Sequence, residues 1–86
     1  MKLKKQLVKR NIAGDVILVP VGDSSLTLKG LMTLNETAEF IWDRLPEAAG
    51  AEELAAALCE EYEVDAVTAR ADVDEILAQL AELGIL

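Results

Sequence analysis

Two periods divide the chain. Over residues 1–34 apolar positions come in short runs or alternate with polar ones, and from Asn35 onward they recur at steps of three and four. A period near two belongs to strands, and one near 3.6 to helices. Leu3 to Ile12 mixes polar and apolar positions around Leu7 and Val8. Gly14-Asp15 then marks a tight turn, where glycine accepts positive φ at little cost. Val16-Ile17-Leu18-Val19 is β-branched and aliphatic, and with the preceding segment it predicts a hairpin. Pro20 has no amide to donate, so it ends the second strand or lies on an edge. Gly22-Asp23-Ser24-Ser25 is expected as a loop, and a third short strand over 30–34.

Asn35 is a good N-cap, and Glu36 places negative charge in the first helical turn. The alternative start is the capping-box spacing from Thr33 to Glu36, two residues earlier. Ala38, Ile41, Trp42 and Leu45 lie at i, i+3, i+4 and i+7, and Pro46 stops this helix. Trp42 is expected in the core. A second helix carries Leu54, Ala57 and Leu58 on one side, with Tyr62 near its end and Glu52 and Glu53 at its start. A third is expected from Asp65, another N-cap, with Ala69, Val73, Ile76, Leu80 and Leu83 on one stripe. Gly84 sits where a C-terminal glycine cap belongs, and Ile85 and Leu86 are expected to fold back onto the core. The order is β-β-β-α-α-α. It predicts one α+β domain over residues 1–86: a three-stranded antiparallel sheet packed on three helices, the arrangement of winged helix-turn-helix domains.

Charge narrows the function. The net charge is −8, but residues 1–34 carry +4 and residues 35–86 carry −12. An acidic helical half argues against nucleic acid, whose phosphates need clustered Lys and Arg. The basic start lacks the apolar stretch of a signal peptide, because Gln6, Lys9, Arg10 and Asn11 interrupt it. The longest apolar run, Val16 to Val21, contains Pro20 and is too short to span a bilayer. A single cysteine, Cys59, permits no intramolecular disulfide. That suits a reducing cytoplasm, the expected location.

The residue types for catalysis are scarce. There is no histidine, the commonest general base and metal ligand. Cys59 lies beside Glu60 and Glu61, whose charge disfavours a thiolate. Asp72, Asp74 and Glu75 fall inside a helix and lack the central glycine of a calcium loop. Glu60, Glu61, Glu63 and Asp65 read as solvated surface. No phosphate-cradling glycine loop is present. The expectation is a non-catalytic protein with no metal and no cofactor. What remains is binding. An edge strand carries unpaired backbone groups and can accept an extended peptide as an extra strand. The bland alternative is an edge guarded against aggregation by lysines and Pro20.

The segment from Gly30 to Leu45, GLMTLNETAEFIWDRL, resembles the signature of PqqD-like proteins, in which a strand ending in Leu-Asn-Glu-Thr leads into a helix carrying Ile-Trp. Glu52-Glu53-Leu54, Leu58, Tyr62 and Val64-Asp65 resemble the family's second helix and its exit. Ala71-Asp72-Val73, Leu77, Leu80 and Gly84-Ile85-Leu86 resemble its last helix. The resemblance covers roughly residues 5–86. It implies a recognition element for ribosomally made, post-translationally modified peptides: a chaperone that binds a precursor's leader peptide and presents it to a modifying enzyme, often a radical SAM enzyme, in natural product biosynthesis. It also implies that the leader adds beside the third strand, in the groove against the third helix. Carried over by position, the strand is Gly30, Leu31, Met32, Thr33 and Leu34. The helix wall then comes from Ala66 to Leu77, with Val73 and Leu77 as apolar contacts and Arg70 and Asp74 as polar ones. Arg70 is the only base on that helix and is a candidate partner for an acidic leader residue; the alternative is a surface pair with Asp74. Two other functions remain: a winged-helix DNA-binding regulator, and a structural homodimer joined through sheet edges or an exchanged hairpin.

Overall fold

The structure is a computed structural model that describes residues 3–4, 7–21 and 32–86. The chain forms β1 (Leu7–Ile12), β2 (Asp15–Pro20) and β3 (Met32–Leu34), then α1 (Glu36–Arg44), a 3₁₀ turn (Leu45–Glu47), α2 (Ala51–Glu61) and α3 (Ala66–Glu82). The sheet is antiparallel in the order β1-β2-β3. The α+β architecture expected from the periodicity is therefore present. Gly30 and Leu31, and the loop expected at Gly22 to Ser25, lie outside the described residues.

The hairpin turn falls one residue earlier than its glycine-aspartate signal placed it. Ala13 (φ 53°) and Gly14 (φ 86°) are its two central residues, and Asp15 already opens β2. Two successive positive φ values make this a type I′ turn, whose twist matches that of the flanking strands. Ala13 adopts a conformation that side chains disfavour, and Gly14 adopts its own freely. The turn sets the register Ile12↔Asp15, Arg10↔Ile17 and Val8↔Val19. One face of the sheet then carries Val16, Leu18, Met32 and Leu34, with Lys9 and Leu7 from β1. The other carries Val8, Ile17, Val19 and Thr33.

The first face meets the helices. Leu18, Met32, Leu34, Ala38, Ile41, Leu45, Leu54, Leu58, Ala69, Val73, Leu80 and Ile85 are buried in one cluster, with Trp42 and Tyr62 half-buried against it. Lys9 crosses from β1 to α1, where its Nζ lies 2.8 Å from Glu39 and 2.9 Å from Asp43. Pro20 closes β2 opposite Leu7. By the alternation of antiparallel pairs that position exchanges no hydrogen bonds with β1, so the missing donor costs the β1–β2 ladder nothing.

Each helix end has a visible cause. The Asn35 Oδ1 accepts from the Ala38 amide at 2.9 Å and from Thr37 Oγ1 at 3.0 Å, so α1 starts at the later of the two expected places. Pro46 falls within the 3₁₀ turn that ends it. At α2 the Glu53 carboxylate reaches back to the Ala49 amide at 2.8 Å. Where α1 faces the exit of α2, Arg44 lies 3.6 Å over the Phe40 ring, and Phe40 meets Tyr62 edge-on at 5.5 Å. At the end of α3, Gly84 (φ 78°) donates to the Ala81 carbonyl at 3.0 Å and Ile85 to the Leu80 carbonyl at 2.9 Å. This is a Schellman motif, with buried Leu80 and Ile85 as its hydrophobic contact. The Ile85 carbonyl accepts in turn from the Lys4 amide at 2.6 Å.

Two substitutions measure this framework by urea unfolding. Asn35→Ala should lower stability by about 1 kcal/mol, the ordinary loss of an N-cap. Leu18→Ala should cost about 2–5 kcal/mol, because it opens a cavity where the sheet meets the helices. An Asn35→Ala variant as stable as the parent would mean that the two bonds at Asn35 contribute nothing.

Candidate functional site

Among the described residues β3 pairs on one side only, with β2, which leaves its other side open. The hairpin decides which backbone groups point outward. In a two-residue hairpin the residues flanking the turn, Ile12 and Asp15, exchange both of their hydrogen bonds, and the exchange then alternates. Asp15, Ile17 and Val19 therefore aim their backbone groups at β1, and Val16 and Leu18 aim theirs at β3. Val16 is opposite Leu34, Leu18 opposite Met32 and Ile17 opposite Thr33. Met32 and Leu34 are thus the pairs bonded to β2. The N–H and C=O of Thr33 point the other way, into the open edge.

That edge runs beside α3. A hollow of about 380 Å³ is lined by Asp15, Thr33, Leu34, Asn35, Thr37 and Ala38 on one side and by Asp72, Glu75, Ile76 and Gln79 on the other. A second, also of about 380 Å³, continues it between Met32 and Thr33 and the end of α3 at Gln79, Glu82 and Leu83. Thr33 and Gln79 belong to both. The two hollows form a groove in which β3 and α3 run in opposite directions: Leu34 lies toward Asp72 and Glu75, Met32 toward Glu82 and Leu83.

Of the residues expected at the site, Met32, Thr33 and Leu34 line this groove; Asp72, Glu75 and Ile76 lie within the expected helix wall of residues 66–77, but the four contacts named on it are not in the lining. Val73 is 0 % exposed, its side chain spent on the core. Leu77 packs half-buried against the same core. Arg70 lies on another flank, lining hollows against α2 with Glu52, Ala55 and Cys59. Its Nε donates to Asp74 at 2.9 Å, the i,i+4 surface pair that was the alternative for it. The structure thus separates Arg70 and Asp74 from the β3 edge and puts Asp72, Glu75, Ile76, Gln79, Glu82 and Leu83 there instead.

The reason is the pitch of the helix. Ala69, Val73 and Leu80 form the stripe that faces the core, and β3 lies over the C-terminal half of α3. The groove therefore takes the stripe next to the core, at steps of three and four from Asp72. The signal was in the sequence: Ile76 is the one residue of the apolar series with acids and a glutamine at −4, −1 and +3.

The start of α3 is held electrostatically. The Thr68 amide donates to Asp65 at 2.7 Å and holds this carboxylate below its ordinary pKa of 3.8. On β1, hydrogen bonds to Glu39 and then Asp43 hold the Lys9 amine above its ordinary pKa.

An edge strand that, among the described residues, has outward backbone groups beside a helix-walled groove is one that can accept an extended chain. The family model of Coenzyme PQQ synthesis protein D (PqqD) matches residues 15–86, and the chain belongs to that family. Two solved structures share the fold. TbiB1 in complex with the TbiA(beta) leader peptide is 30% identical, with a TM-score of 0.70 over 96% of this chain and 93% of that one. A lasso peptide synthetase B1 complexed with the leader peptide is 26% identical, with a TM-score of 0.72 over 98% of this chain and 93% of that one. No curated protein matches.

The lowered pKa of Asp65 carries a sign. Its contribution to stability is whole above the ordinary carboxylate value and is lost as pH falls through the lowered folded value. Urea midpoints measured down through the acid range should therefore fall less steeply for Asp65→Asn, which keeps a capping oxygen but has no proton to take up, than for the parent. Parallel curves would mean that the Thr68–Asp65 bond does not discriminate between the two protonation states.

Proposed function

We propose that this chain is a leader-peptide recognition element: a non-catalytic domain that takes up the leader of a ribosomally made precursor as a fourth strand on β3 and presents it to a modifying enzyme. The observation that carries this reading is the outward-facing backbone of Thr33 at the middle of the β3–α3 groove, where its two hollows join. Membership of the PqqD family and the leader-peptide complexes formed by both structural neighbours support it. The continuous core supports treating residues 1–86 as one such unit, working in the cytoplasm.

Magnitudes divide the labour between backbone and side chains. Thr33 offers one donor and one acceptor, and a net hydrogen bond contributes about 0.5–1.5 kcal/mol. Two such bonds fall well short of the roughly 8 kcal/mol of a micromolar complex. Strand addition at Thr33 therefore fixes register, and the side chains along Ile76, Gln79 and Leu83 must supply most of the affinity. Of the enzymes such an element serves, the neighbours favour a lasso peptide synthetase system over the radical SAM enzyme that the family resemblance suggested. The acids along the groove oppose the alternative of a DNA-binding regulator.

The test is an amide NMR titration of the labelled chain with the leader of a short precursor encoded beside its gene, and with duplex DNA as control. Shifts should concentrate on Met32 to Leu34 and on Asp72 to Leu83, with none from DNA. Shifts confined to other helix faces, or a response to DNA alone, would refute the reading. The Thr33→Pro variant removes the outward donor without touching the β2–β3 ladder. It should stay folded and lose affinity about fivefold or more. Undiminished leader binding by a folded Thr33→Pro chain would rule out strand addition here.

A further inference from the structure

The groove is polar on one side in a way that strand addition does not require. Its lining includes the carboxylates of Asp15, Asp72, Glu75 and Glu82, and no Lys or Arg among the described residues. Other acids of the fold are neutralised in place: Glu39 and Asp43 by Lys9, Asp74 by Arg70. Asp15, Asp72 and Glu75 make no ion pair among the described residues. Three of the four, Asp15, Asp72 and Glu75, gather at the Leu34 end, while Ile76 and Leu83 supply apolar surface farther along. The positive end of α1 also lies there, but its amide at Ala38 is already taken by Asn35 and Glu36 stands in its first turn.

An added strand turns every second side chain toward α3, at a spacing of about 6.6–6.8 Å. A side chain placed at the Leu34 end meets carboxylates; one or two alternate positions on, it meets Ile76 and then Leu83. From this we infer that the groove selects a cationic peptide: a segment with Lys or Arg at the α3-facing position nearest Leu34, followed at alternate positions toward Met32 by apolar residues. This rests on the strand-addition reading and reverses the charge expected from Arg70. A leader acid would enter a site whose charged groups, among the described residues, are all carboxylates.

Because the whole chain is acidic, the experiment must separate groove charge from net charge. Random peptides of about twelve residues, longer than the roughly 10 Å of three strand residues, are displayed and selected on the intact chain. A selected peptide that shifts the Thr33 and Leu34 amides is then compared with its single Lys→Glu or Arg→Glu version by fluorescence anisotropy. The comparison is repeated on Asp72→Asn/Glu75→Gln and on Glu60→Gln/Glu61→Gln, which removes the same charge from α2.

The cationic peptide should bind about threefold or more tightly than its acidic version. That preference should persist with the α2 variant, shrink toward unity with the groove variant, and weaken as salt is raised. Equal affinity for the two peptides, or an equal loss of preference in both variants, overturns the charge selection while leaving strand addition standing. Selection of no peptide that shifts the Thr33 and Leu34 amides overturns both.

Discussion

The two-residue turn at Ala13 and Gly14 governs the sheet's parity, and the rest of the molecule follows from it. Side chains alternate along a strand with a period of two, so a slip of one residue would exchange the two faces of β2 entirely. With the turn where it is, Leu18 faces the helices, Met32 and Leu34 pair with Leu18 and Val16, and Thr33 falls on the alternate position. The same parity assigns the backbone. Residues whose side chains build the core use their amides on β2, and the one between them is left with its own facing out. Core packing and an outward-facing strand edge are therefore one choice of register. Ala13 tolerates an unfavourable φ of 53° in a turn that secures both.

The helices meet this sheet with a division of faces along α3. One stripe, Ala69, Val73 and Leu80, is consumed by the core. The neighbouring stripe, from Asp72 to Leu83, stands over β3 and is free to face a ligand. The far flank pairs Arg70 with Asp74 and looks toward α2. Packing fixes the first stripe closely, because every buried position there is filled. The second is under no such constraint, so it can vary in chemistry while the fold is kept. In this chain it is acidic.

Much of the fold could be read from local chemistry. Asn35 and Asp65 cap their helices through side-chain oxygens, Gly84 takes the positive φ expected of it, and Pro20 and Pro46 fall where elements end. These are decisions made within four or five residues, and sequence records such decisions well. The turn was misplaced by one residue because Gly14 is its second central position and the first is an alanine, which carries no turn signal of its own. The strand through Met32 to Leu34 was legible for the same local reason, whereas its part in a groove came from the family resemblance. The helix half of the groove was not legible. Arg70, Asp74 and Val73 share the helix with the residues that line the hollows, but which stripe faces β3 depends on how the helix is rolled against the sheet. That roll is set by long-range packing of Leu18, Ile41, Leu58 and Leu80, which no short window contains.

The Schellman turn at Gly84 has one more effect. It bends the end of α3 back so that the Ile85 carbonyl reaches the Lys4 amide at 2.6 Å. The two extremities of the described chain are thus joined by a single hydrogen bond. A domain whose ends meet can be spliced into one surface loop of a larger protein without stretching either partner. The same fold can stand by itself or within a longer chain, with its groove unchanged.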